Sequence, residues 1–76
     1  MPEDTTRVLR AMVEDGLIPE PSELEKRRFA HLSVEEMFGV GALLEAGKMA
    51  GERPTLSEAI SEARVVVERA RADRRS

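Results

Sequence analysis

At 76 residues, with no Cys, Trp or Tyr and only two Phe, the chain makes one small domain without disulfide staples or a large aromatic core. A net charge of −3 and a single His argue against a generally basic nucleic-acid binder and leave too few soft ligands for a metal or cofactor site. No apolar stretch approaches the roughly 18 residues of a membrane span, so no membrane partner is expected. The polar start Met1-Pro2-Glu3-Asp4 lacks the basic region and apolar run of a secretory signal, and the cytosol is the expected compartment.

Three helix-start boxes organise the chain: Ser22-x-x-Glu25, Ser33-x-x-Glu36 and Thr55-x-x-Glu58. In each, the hydroxyl can accept the amide proton three residues on while the Glu reaches back to the cap amide. Together with the apolar spacing they predict an all-α fold, a compact bundle of four helices over about 5–15, 23–31, 34–50 and 56–73. Helix three is central, and residues 1–4 and 74–76 form short mobile ends of this single domain.

The first helix places Thr5, Val8, Leu9, Met12 and Val13 on one stripe, and Gly16 is its stop. Leu17-Ile18-Pro19-Glu20-Pro21 is an extended connector, because residues ahead of Pro avoid the α region; its Leu and Ile tuck under the core. The second helix puts Leu24, Phe29 and Leu32 on one side with Arg28 between them. Arg28 is either a stem covering apolar surface or an anchor for a partner's carboxylate. His31 falls in the last turn, where positive charge suits the helix dipole.

Leu32 ahead of the Ser33 cap and Met37 four positions into the helix form a hydrophobic staple that fixes a sharp corner. The third helix is charged only at Glu35, Glu36, Glu45 and Lys48, so its apolar residues cover most of its circumference. Ala42, Ala46 and Ala50 repeat every four residues, as do Gly47 and Gly51. That spacing admits another backbone closely, within the chain or across a dimer seam. Residues Leu32 to Gly41 (LSVEEMFGVG) resemble the opening of excisionase-type and winged-helix DNA readers, which implies a helix placed in a groove. The sequence departs from that pattern, since the interval from Glu36 to Gly39 is too short for a helix followed by a turn.

In the fourth helix Leu56, Ala59, Ile60, Ala63, Val66, Val67 and Ala70 fall on one core-facing stripe. Val65 points to the opposite side and marks a candidate contact surface. Charge alternates by block: −5 over residues 1–25, +3 over 26–31, −4 over 32–63 and +3 over 64–76. The arginines Arg64, Arg69 and Arg71 are candidate partner contacts. They are expected to pair with the acidic N-terminal block or to touch phosphates.

Catalytic constellations are missing: Ser33 is committed to a cap, the carboxylates sit at helix starts and on polar faces, and Gly39-Val40-Gly41 follows no strand. The composition therefore points to a non-enzymatic protein-interaction module, a regulatory, adaptor or inhibitor-like subunit that self-associates or joins a complex. The alternative is a DNA-associated accessory protein that contacts phosphates through the Arg-rich C-terminal helix.

Overall fold

A computed structural model describes residues 3–75. Its elements are four helices: α1 Glu3–Glu14, α2 Glu23–Ala30, α3 Val34–Met49 and α4 Leu56–Arg75. No strand occurs among the described residues. Residues 3–4 and 74–75, expected within mobile ends, are helical; positions 1–2 and 76 of those ends lie outside the described residues. α3 runs unbroken through Gly39 and Gly41.

Local chemistry sets the ends of these helices. Gly16 and Gly51 take positive φ, 76° and 80°, a conformation that glycine adopts without a Cβ clash. Each closes its helix with the paired Schellman bonds. Leu17 N–H donates to the Met12 carbonyl and Gly16 N–H to that of Val13; Glu52 N–H donates to Gly47 and Gly51 N–H to Lys48. The Lys48 ammonium donates to the Asp15 carbonyl at 2.9 Å, tying α3 to the otherwise unpaired end of α1.

Phe29, Val40, Leu44 and Ile60 are the largest fully buried side chains, joined in one core by Leu9, Met12, Ile18, Leu32, Leu56, Ala59 and Ala63. Leu17 and Met37 pack against it half-buried. α3 and α4 pack most closely, and they run antiparallel. A Cβ at Gly39 would lie 3.2 Å from Ala63 Cβ, and one at Gly47 would lie 2.7 Å from Pro54 Cδ. The glycines, not the alanines, make this close approach; Ala42, Ala46 and Ala50 are exposed.

Several expected core positions lie outside the core. Leu24 is 66% exposed because five helical residues turn it about 140° from Phe29. Val66 is exposed because it sits at the edge of the α4 stripe, turned about 100° from the buried Val67; Ala70 is exposed because α4, 20 residues long, outlasts the 16 residues of α3. In the antiparallel register its last two turns have no helix opposite. Val8 lies at the half-open edge of the α1 stripe.

Candidate interaction surface

All three boxes close. Ser22, Ser33 and Thr55 oxygens accept from the Glu25, Glu36 and Glu58 amides at 3.2, 3.2 and 3.1 Å. The three glutamates accept in turn from the cap amides at 3.0, 2.8 and 3.3 Å. Two of these glutamates also bridge to other elements. Glu25 accepts from Ser57 Oγ at 3.3 Å, linking α2 to α4, and Glu36 lies 3.8 Å from the Arg64 guanidinium, linking α3 to α4.

These contacts set the charge state of both carboxyls. The Ser22 amide holds Glu25 below the usual carboxylate range, helped by the Ser22 and Ser57 side chains. The Ser33 amide does the same for Glu36, helped by the Ser33 hydroxyl and the charges of Arg64 and Arg71. In both, hydrogen bonds to the ionised form outweigh the opposing effect of burial.

The residues singled out as contacts do not converge on one site. Arg28 is half-buried and donates from Nη2 to Ser61 Oγ at 3.3 Å, so it faces its own α4. Arg64 and Arg71 pair with Glu36 and Glu35, the latter at 3.9 Å. Their counter-charge among the described side chains is thus the start of α3, where the antiparallel register brings the end of α4, in place of the expected acidic block near the N-terminus. Arg69 and Val65 are exposed on α4. His31, the C-cap of α2, is also exposed. Among the described residues no group of three His, Asp or Glu could hold a metal ion, and no helix is long and apolar enough to cross a membrane.

The largest open apolar feature lies elsewhere. Phe38 is 76% exposed, Val34 68% and Met49 89%; with Ala42 and Glu45 they fall within about 80° of the α3 circumference. Beside them α1 and α3 form a shallow groove lined by Val8, Ala11, Met12, Leu17, Met37 and Gly41, with Asp15 and Glu45 as its charged lining residues. No family model, curated protein or solved structure matches this chain. The surface is read from its own chemistry.

Phe38 escaped attention in the sequence because helical spacing does not say which side of an all-apolar helix lacks a neighbour. One signal was present. A helix apolar all round needs cover on every side, and three further helices in 76 residues cannot supply it.

Proposed function

We propose that this chain is a non-enzymatic protein-interaction module, a small regulatory, adaptor or inhibitor-like subunit that docks through the open side of α3 as a homodimer or within a complex. The observation that carries the reading is one of the two aromatic side chains lying 76% exposed at the edge of an apolar groove. Aromatic anchors of this kind dominate binding energy when a partner seals them from water. The non-enzymatic part rests on how the polar groups are used: Glu25, Glu36, Arg28 and Arg64 are matched to one another and to Ser22, Ser33, Ser57 and Ser61 across the bundle.

Magnitudes say how much of the face a partner must cover. Full burial of Phe38, Val34 and Met49 yields about 2 kcal/mol each, roughly 6 kcal/mol in all. Association costs on the order of 4–15 kcal/mol, so these three alone give weak binding and the adjoining groove must be covered too. The phosphate-binding alternative has less to work with, since Arg64 and Arg71 already face carboxylates.

A photo-crosslinking residue at Ala46, compared with one at Arg53 in the turn that follows α3, tests the reading in the native host cell. We expect discrete adducts from position 46 that Phe38→Asp abolishes. Equal adducts from both positions, or adducts indifferent to Phe38, would remove α3 as the docking face.

A further inference from the structure

We infer that the groove between α1 and α3 receives a cationic amphipathic helix of another protein. That helix sets a large apolar side chain against Phe38 and an Arg or Lys, seven residues away, against Asp15 and Glu45. The inference rests on reading this face as a docking surface and says what fills it.

The two walls of the groove carry the same pattern at the same spacing. α1 contributes Val8, Ala11, Met12 and Asp15, and α3 contributes Phe38, Gly41, Ala42 and Glu45. On each wall an apolar residue is followed by small or apolar residues three and four positions on, and by an acid seven positions on. Such a stripe keeps to one side of a helix. Asp15 follows the last residue of α1, yet its amide still donates to the Ala11 carbonyl at 2.9 Å, which holds it in the helical turn. The walls run in the same sense and nearly in register: a Cβ at Gly41 would lie 3.9 Å from Met12 Cε, and further along both helices Lys48 reaches the Asp15 carbonyl at 2.9 Å. The groove therefore has an apolar end at Val8 and Phe38 and an acidic end at Asp15 and Glu45, about 10.5 Å apart. Gly41, without a side chain, leaves the floor low between them.

Both walls are helices whose backbone groups bond within themselves, so the groove offers a partner no ladder of main-chain donors and acceptors. An extended segment laid in it would leave its own amides and carbonyls unpaired over apolar surface, whereas a helix satisfies its own. About two turns of helix span the distance from the apolar end to the acidic one.

The acidic end calls for a base. The Asp15 and Glu45 carboxylates are exposed and form no ion pair among the described residues. Lys48 shares that end with its ammonium on the Asp15 carbonyl, the adjoining turn adds Glu52 and Arg53, which offset each other, and Glu14 is a further exposed acid, so the end stays negative. An uncharged partner laid over it would strip water from two carboxylates and return nothing. An Arg or Lys returns a counter-charge to both and fixes the register of the docked helix. The same two acids oppose an anionic lipid surface.

The chain's own helices do not supply this occupant. Of its exposed large apolar side chains, from Val8 to Val66, none has an Arg or Lys seven positions away on the same helix. Even on the Arg-rich α4, Val65 finds Glu58 and Ala72 at that spacing, and Val66 finds Ala59 and Asp73. The partner is a different protein.

Panning the full chain against displayed peptides of about 20 residues, long enough to hold a helix in water and randomised along one side, tests the inference. Asp15, Phe38 and Glu45 are all exposed, so their substitution leaves the core intact, and circular dichroism confirms that each variant is folded. The selected peptides should carry a large apolar residue and an Arg or Lys seven positions apart. Phe38→Asp should weaken the best of them about 30-fold or more, and Asp15→Lys and Glu45→Lys about fivefold each at low salt. Panning against the Asp15→Lys, Glu45→Lys double variant should select Asp or Glu at the position where the wild type selects a base. Peptides that need Phe38 but show no base at that spacing, or an unchanged preference on the double variant, would overturn the cationic helix and leave the docking face standing. Phe38-dependent self-association in sedimentation equilibrium would give the face to a second copy, and Phe38-dependent retention on phosphatidylcholine vesicles would give it to a membrane; either overturns the inference. The absence of any Phe38-dependent peptide overturns it as well, and if position 46 also gives no Phe38-dependent adducts, the docking face itself is refuted.

Discussion

Three glycines inside α3 offer a graded test of its packing, because each meets a different neighbour. Replacing an interior helical Gly by Ala gains about 1 kcal/mol of helix propensity, and the new methyl group adds whatever its surroundings impose. At Gly41 the Cβ would find only the flexible end of Met12, 3.9 Å away, an ordinary contact. Gly41→Ala should therefore stabilise by about 1 kcal/mol and raise Tm by roughly 4–8 °C for a domain of this size. At Gly39 the Cβ would lie 3.2 Å from Ala63 Cβ. α4 must yield by a few tenths of an ångström there, and the two effects nearly cancel. At Gly47 the Cβ would lie 2.7 Å from Pro54 Cδ and 3.1 Å from its Cγ, and a proline ring cannot rotate away. Overpacking of this kind costs about 1–3 kcal/mol, so Gly47→Ala should destabilise by about 1–2 kcal/mol after the propensity gain. Urea unfolding in a Phe38→Asp background, which holds association constant across the series, measures all three. Equal stability of the Gly41 and Gly47 variants would refute the close crossing of α3 and the chain at Pro54.

Ser33→Ala should lower stability by about 1 kcal/mol, because it removes the acceptor for the Glu36 amide at the corner where Leu32 and Met37 pack; an unchanged urea midpoint would mean the corner is held by packing alone. Glu25 and Glu36 carry carboxyls lowered in the folded state, so the unfolded chain binds more protons at acid pH. Their stabilisation is full above the ordinary carboxylate range and is lost as pH falls through the lowered folded values. Urea midpoints should drop on going from pH 7 to pH 3, and the Glu25→Gln, Glu36→Gln double variant should drop less; equal slopes would show that these carboxyls are not the linked groups. Removing residues 69–76 takes away the exposed Arg71–Glu35 pair and no buried side chain described in the core. It should cost under about 1 kcal/mol, and the intact protein should show no salt-sensitive retention on duplex DNA at physiological ionic strength.

Helix positions and ends were legible in the sequence because they are local. A hydroxyl three residues before a Glu and a Gly after the last periodic residue satisfy their own backbone groups without help from the rest of the chain. Ser22, Ser33, Thr55, Gly16 and Gly51 thus set three starts and two stops by themselves. The apolar periods of α1 and α4 likewise named Leu9, Met12, Ile60 and Ala63 as inward-facing, since each of those helices has a polar side that can only face water. What the sequence could not decide was register and coverage between helices. The antiparallel offset of α3 against α4 leaves Ala70 overhanging, brings Arg64 and Arg71 to Glu36 and Glu35, and makes Gly39 and Gly47, not the alanine series, the points of close approach. For α3, whose apolar residues run around its whole circumference, periodicity selects no side. Only the placement of its three neighbours determines that Val40 and Leu44 are covered and Phe38 is left open, because burial is a property of what lies opposite a side chain and not of the side chain itself.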